Sequence, residues 1–363
     1  MKILITCPRA PVAIEWARIA QREGHLVTFV DSLKNPLGRY LKATNYIRVP
    51  SPRFTFEEYK QQILTLISEH DLIIPTCEDI FYVTKAVQDT KFKHKVFAPD
   101  FDLLLGLHNK FTVQNYLNKN VKFPKTRILT NADQIDYSNQ NSILKPVFSR
   151  FGTQLVTKIN INETISIDIT DTFPWVQQEK IFGEYICNYA VIEQGSIISH
   201  VVYRPRYLVN NAASTYFEYI DNVNCNSFIK EFAELTKFTG QVAFDFIENE
   251  KGLFVIECNP RGTSGLHLIS NQIEITDTGL QAKNSRPFES CRVGKSIIYM
   301  FGVSSLLNGT LKDLLKDYKK SKDVIKDIPF MAQLLAFGEI FIIKLRHKIS
   351  FAEATAHNIE YNG

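Results

Sequence analysis

Asp245, Glu257, Asn259 and Arg261 lie in one stretch, residues 240–265, that reads GQVAFDFIENEKGLFVIECNPRGTSG. Its alternating residues predict two strands joined by a tight turn at Asn249-Glu250-Lys251-Gly252, where glycine is free to take a positive φ. Folding about that turn brings Asp245 opposite or beside Glu257. Glu257 and Asn259 are two apart, so in a strand they share a face. Three oxygen-bearing side chains then converge, with Arg261 just beyond them. Hard oxygen ligands beside a cation suit a Mg²⁺ ion that also holds a polyphosphate. The plainer alternative is a polar, solvent-facing sheet surface.

Three features upstream weigh against that alternative. Lys110 lies on the helix expected just before the domain boundary, and Lys145 lies in the extended run ILKPV. A lysine buried on a strand needs an anion, either an acidic side chain or a phosphate. The loop Ser149-Arg150-Phe151-Gly152-Thr153 follows, and its backbone N–H groups can close over phosphates. Next comes Gln177-Gln178-Glu179-Lys180-Ile181-Phe182-Gly183-Glu184, extended and interrupted by glycine. Backbone there can offer a donor and an acceptor to an adenine, and Glu184 can hold ribose hydroxyls.

The elements that must position these groups divide the chain. Residues 2–7, 12–23 and 25–31 read as strand, helix and strand, the opening of a Rossmann-like α/β unit, with Gly24 as the helix C-cap. The first turn, Thr6-Cys7-Pro8-Arg9-Ala10-Pro11, lacks the glycine fingerprint of a dinucleotide site, which argues against a nicotinamide or flavin cofactor. The pattern repeats through strands at 46–49, 72–75 and 96–99 and a helix at 56–69. Glu78 and Asp79 open the next helix, where the helix dipole accounts for them; their place after a strand end also suits a ligand contact. Helices are expected at 102–107 and 109–118 and a domain boundary near Val121. Beyond it, 142–147, 153–160, 173–181, 184–193 and 196–204 read as extended, with a helix at 226–238. Residues 308–326 read as helical and lysine-rich, and 328–347 as a final helix.

Taken in order, Lys110, Lys145, QEKIFGE and VIECNPRGTSG resemble the ATP-grasp superfamily, exemplified by D-alanine–D-alanine ligase, biotin carboxylase and the carbamoyl phosphate synthetase large subunit. The resemblance spans roughly residues 1–270. It implies an α/β and α+β fold: a Rossmann-like pre-ATP-grasp domain at 1–107, then an ATP-grasp domain at 108–275. The latter divides into a small subdomain at 125–180 and a large one at 181–275, and a mainly helical extension at 276–363 packs on the core. It further implies that Lys110 and Lys145 contact ATP phosphates and that Ser149, Gly152 and Thr153 belong to the covering loop, which has one glycine where relatives often have two. Glu179, Lys180 and Ile181 would seat adenine, and Glu184 the ribose. Asp245, Glu257 and Asn259 would bind Mg²⁺ (or Mn²⁺), and Arg261 with Lys145 would act in catalysis by steadying the transferring phosphoryl group. The implied reaction activates a small carboxylate as an acyl phosphate and joins it to an amine, releasing ADP and phosphate. A carboxylate–thiol or bicarbonate-using enzyme and a non-catalytic ATP-binding regulator are the alternatives. For the substrates, Arg204 and Arg206 are expected to share a face toward the cleft, and Ser264 and His267 could line an acceptor pocket.

Bulk composition fits this picture. The 363 residues are 45% hydrophobic and carry a net charge of +4, without the basic block or interleaved aromatics of a nucleic-acid partner. The six scattered cysteines form no CxxC pair and suit a reducing, cytoplasmic setting. The apolar run at 329–345 carries Glu339 and Lys344 and is too short to span a bilayer. A homodimer is the family habit.

Overall fold

The computed structural model describes the whole chain except residues 119–120, 150–153, 161–164, 166 and 209–213. Strands β1 (Lys2–Thr6), β2 (Leu26–Asp31), β3 (Thr44–Arg48) and β4 (Leu72–Ile74) form a parallel sheet in the order β3-β2-β1-β4. Val96 adds a parallel bridge to Ile73. Helices α1 (Pro11–Arg22), α2 (Phe56–Ser68), α3 (Asp79–Val87) and α4 (Phe101–His108) cover it. Proline at the first position of α1 loses no needed N–H bond, and Gly24 follows its end with φ +78°. The strands bury both faces, so they read as apolar runs such as KILIT rather than as alternation.

The chain after α4 departs from expectation. Residues 109–118 form a 3₁₀ segment, Thr112–Tyr116, not a full helix. Asn109 Oδ1 accepts the N–H groups of Phe111 and Thr112 as an N-cap does, but the Leu117 N–H closes on the Gln114 carbonyl and Leu117 is extended (ψ 147°), so the segment ends as a short 3₁₀ turn. Strands β5 (Thr126–Leu129), β6 (Ser142–Pro146) and β7 (Trp175–Glu179) form a small antiparallel sheet in the order β5-β7-β6. Of the expected extended segment 153–160, Val156 alone pairs, with Leu144.

Strands β8 (Glu184–Glu193), β9 (Ser196–Arg206), β10 (Tyr216–Ile220), β11 (Gly240–Asn249) and β12 (Gly252–Asn259) build the large sheet. Helix α5 (Val223–Thr236) packs on one face. Its N-cap Asn222 accepts the Cys225 N–H, and Phe228 and Phe232 meet Phe244 edge-on at 4.8 and 4.9 Å between centroids. After a short helix, α6 (Leu266–Ile269), and a hairpin, β13 (Ile273–Thr276) and β14 (Gly279–Ala282), the chain returns to the sheet. β15 (Ser290–Arg292) pairs with β10, and β16 (Lys322–Asp323) with β15, giving the order β12-β11-β8-β9-β10-β15-β16. The C-terminal region is therefore not helical throughout. It completes the large sheet and adds α7 (Ser296–Leu307), α8 (Leu311–Lys320), α9 (Phe330–His347) and α10 (Phe351–Ala356).

The parallel sheet and the large sheet meet through buried polar contacts. Gln241, fully buried in β11, accepts from Trp16 Nε1 at 2.7 Å and Tyr189 Oη at 2.8 Å, and donates to the Pro75 carbonyl at 2.8 Å. Buried Glu15 of α1 accepts from Lys322 at 2.7 Å and meets His267 Nδ1 at 3.1 Å.

Candidate active site

The hairpin β11–β12 forms as its sequence predicts: Asn249 pairs with Gly252, whose φ is +122°, and Asp245 pairs with Glu257. A bulge between these pairs does more than the alternation alone foresees. Phe246 pairs with Val255 while Asp245 pairs with Glu257, so Ile256 is the extra residue. Leu253 and Val255 point into the core under α5, as does Cys258. Without the extra residue, Glu257 would follow Val255 into that core by parity. The bulge turns Glu257 and Asn259 to the opposite face, beside Asp245.

Two lysines reach the same face from separate elements. Lys110, 4% exposed, donates to the Ser149 carbonyl at 2.7 Å and stands 3.8 Å from Glu257 Oε2. Lys145 of β6, 6% exposed, donates to the carbonyl of the bulged Ile256 at 3.4 Å. Burial pushes both ammonium groups down; Lys145, also beside Lys110, falls to about 8. Burial likewise raises Asp245, to about 7, with the Glu257 charge adding to it. Burial would raise Glu257 too, but Lys110 and Lys145 outweigh it and hold that carboxylate down at about 2.

Arg261 continues the chain of contacts. Asn259 donates to Glu257 Oε1 at 3.2 Å, and Arg261 Nη2 donates to Asn259 Oδ1 at 3.0 Å. Arg261 Nε lies 3.8 Å from Glu78 Oε1, and Glu78 Oε2 accepts the Tyr361 N–H at 3.2 Å. Gly262 lets this loop approach the parallel sheet: a Cβ there would sit 2.8 Å from the Thr76 carbonyl. Glu78 is thus the site residue that sequence reasoning undervalued. The signal was its position after a strand's C-terminal end, while the Arg261 contact spans domains and leaves no local pattern. Beside Ser149, a cavity of about 240 Å³ is walled by Phe148, Arg53, Glu353, His357 and Glu360 among others.

The remaining sequence candidates scatter. Gly152 and Thr153 lie outside the described residues. The N–H groups of Glu179 and Lys180 bond to the Lys125 and Asn141 carbonyls at 2.8 and 2.9 Å, so neither is free to meet a base edge. Asn249 ties down the Phe182 carbonyl at 2.7 Å. Glu184 is half exposed and ion-paired with Arg204. Arg206 does not join the carboxylate cluster. Although it lies two residues from Arg204 on the same strand, β9, it is drawn to Glu218 at 3.5 Å and Asp317 of α8 at 3.1 Å. His267 does not line a pocket either; it is 1% exposed and held on Glu15, with burial lowering its basicity. Ser264 offers its carbonyl to the His267 N–H at 3.1 Å.

An oxygen-only set of two facing carboxylates and an amide fits a hard divalent cation, because Asp245 and Glu257 are direct cross-strand partners and repel without one. Comparison with solved structures finds the same fold at low identity. N5-Carboxyaminoimidazole synthetase from Staphylococcus aureus, complexed with ADP, superposes with a TM-score of 0.59 at 15% identity, covering 76% of this chain and 74% of that one. L-Amino acid ligase from Bacillus licheniformis gives 0.55 at 15%, covering 75% and 70%. Rhizobium etli pyruvate carboxylase gives 0.58 at 16%, covering 74% of this chain and 27% of the carboxylase. Nothing matched in a comparison with curated protein sequences. Residues 107–265 match the family model of an ATP-grasp domain.

Proposed function

We propose that this protein is an ATP- and divalent-cation-dependent ligase that phosphorylates a small carboxylate and transfers the resulting acyl group to an amine. The observation that carries the reading is the convergence of Asp245, Glu257 and Asn259 with buried Lys110 and Lys145 on one face of β11–β12. Lys145, buried with the Ile256 carbonyl 3.4 Å away, and Lys110, 3.8 Å from Glu257, are placed to take an anionic ligand, and a polyphosphate is one. The solved relatives named as an amino acid ligase and a carboxyaminoimidazole synthetase support the same class of chemistry.

In this reading Lys110 and Lys145 hold the nucleotide phosphates, and Ile181 presents its N–H to the base. Asp245, Glu257 and Asn259 hold Mg²⁺, which neutralises phosphate charge when bound. Arg261, kept in place by Asn259 and Glu78, faces the carboxylate and stabilises charge on the transferring phosphoryl group. The carboxylate oxygen attacks the γ-phosphorus, ADP leaves, and the amine then displaces phosphate from the acyl carbon and loses a proton. The acceptor occupies the cavity beside Ser149, where Glu353 and Glu360 suit an ammonium group.

The test is ADP and phosphate release with MgATP across amino acids, dipeptides, small carboxylic acids and bicarbonate, with wild type beside Glu257→Gln. Release that depends on an acid, rises with an amine and vanishes in the variant is expected. Full activity of Glu257→Gln would remove the metal assignment. ATP binding with no stimulated release would favour a regulatory role.

A further inference from the structure

The C-terminal helices leave a surface that the rest of the chain does not explain. Helix α9 is clamped to the body on one side only: Glu339 accepts the N–H groups of Lys34 and Asn35 at 2.8 and 2.6 Å, and Ile340 packs against Leu33. Its other side presents Met331, Leu334, Leu335, Phe337, Ile342 and Leu345, each 46–65% exposed. Helix α7 presents Tyr299, Val303, Leu306 and Leu307, 63–79% exposed, with no charged residue along its length. The two helices start close together, since a Cβ at Gly294 would lie 3.9 Å from Gln333 Oε1. Side chains of this size at these exposures leave on the order of 1,000 Å² of apolar surface over the two helices together.

Charge decides between occupants. Residues 291–350 hold eleven Lys or Arg and five Asp or Glu, a net +6, whereas the whole chain carries +4. The exposed end of α9 bears Arg346 and Lys348, and α8 bears Lys312, Lys316, Lys319 and Lys320. A two-fold pairing of this face would set one cationic region against another. An anionic surface complements it. Among the described residues no helix is long and apolar enough to cross a membrane, so the helices would lie on one rather than span it.

We infer that α7 and α9 form a peripheral membrane-docking face, which inserts aromatic and aliphatic side chains at the boundary of an anionic bilayer while the α8 and α9 cations meet lipid headgroups. The test is co-sedimentation with vesicles of equal parts phosphatidylcholine and phosphatidylglycerol, beside vesicles of phosphatidylcholine alone. Binding to the anionic vesicles that weakens in high salt is expected. The double variant Leu335→Ser, Ile342→Ser is expected to partition at least about tenfold less with unchanged thermal melting and ADP release. Light scattering accompanies the assay. A dimer that the same double variant dissolves, without vesicle binding, would overturn the inference and give the face to a second copy. A monomer that ignores both vesicles would overturn it as well.

Discussion

Lys145→Met separates a lysine kept for a ligand from one kept for the fold. The wild-type ammonium is 6% exposed and has the Ile256 carbonyl 3.4 Å away. Burial and Lys110 lower it from 10.5 to about 8. That gap corresponds to a handicap of about 3 kcal/mol for the ligand-free protein near neutral pH. Because a base is depressed here, the handicap is complete below about 8 and fades as pH rises from there towards 10.5. Methionine keeps most of the stem and removes the charge. The ligand-free variant should therefore melt above wild type, by about 5 °C if the full 3 kcal/mol is recovered, and the difference should shrink by pH 9.5. With MgATP the order of benefit reverses: each tenfold loss of nucleotide affinity takes about 1.4 kcal/mol from the variant's relative stability. The KM for ATP should rise roughly tenfold or more, since a charge-assisted contact is lost. Differential scanning fluorimetry across pH, with and without nucleotide, together with steady-state ADP release, reads all of this. A ligand-free variant that melts below wild type, with an unchanged KM for ATP, would refute the assignment and make Lys145 a structural residue.

Other outcomes follow from the same geometry. Glu78→Gln weakens the contact that holds Arg261 Nε; kcat should fall about tenfold with the KM for ATP unchanged, and an equal fall in nucleotide binding would show that Glu78 acts elsewhere. Asp79 is raised by burial to about 6 from 3.8, so its ionised form handicaps the fold fully above about 6 and not at all below 3.8. Asp79→Asn should then melt above wild type at pH 7.5, by up to about 3 kcal/mol, with the advantage gone near pH 4; a gain that grows on acidification would contradict this. Glu15→Gln removes the charge between Lys322 and His267 and should cost about 3 kcal/mol in chemical denaturation at neutral pH, whereas a loss below about 1 kcal/mol would show that water already satisfies Lys322.

What the sequence could and could not disclose follows from the range of each interaction. Asp245, Glu257 and Asn259 were legible because a two-residue turn and a period of two are local rules. The bulge at Ile256 was not, because parity changes only when β12 is paired with β11. Lys145 was legible as a lysine in the wrong place, on a strand that buries it, and Lys110 through its place in the order of motifs. The helix predicted at 109–118 stops short although Asn109 caps its start, because Leu117 turns extended and its N–H closes on Gln114. Arg206 and His267 were plausible as substrate readers until their partners appeared; Asp317 is 111 residues away from one and Glu15 is 252 residues from the other. Glu78 illustrates the converse: a residue that the helix dipole explains locally meets Arg261, 183 residues along the chain.

The charges of the site also bear on why its ligand should carry both signs. Lys110, Lys145 and Arg261 face Asp245, Glu257 and Glu78, so the formal count balances. The placement does not. Glu257 is held ionised by the two lysines, which leaves Asp245 difficult to ionise at about 7, and among the described residues Lys145 hydrogen-bonds a carbonyl alone. A free anion would relieve Lys145 but add to the repulsion at Asp245. A free cation would relieve Asp245 but oppose Lys145. A magnesium–nucleotide complex places a cation on one side and phosphate on the other, and so relieves both at once. This predicts that ATP and Mg²⁺ bind with positive coupling, each tightening the other, and that Asp245→Asn removes most of that coupling while leaving metal-free nucleotide affinity close to wild type. Calorimetric titrations of nucleotide with and without Mg²⁺ measure it directly; equal coupling in the variant would mean that Asp245 does not face the metal.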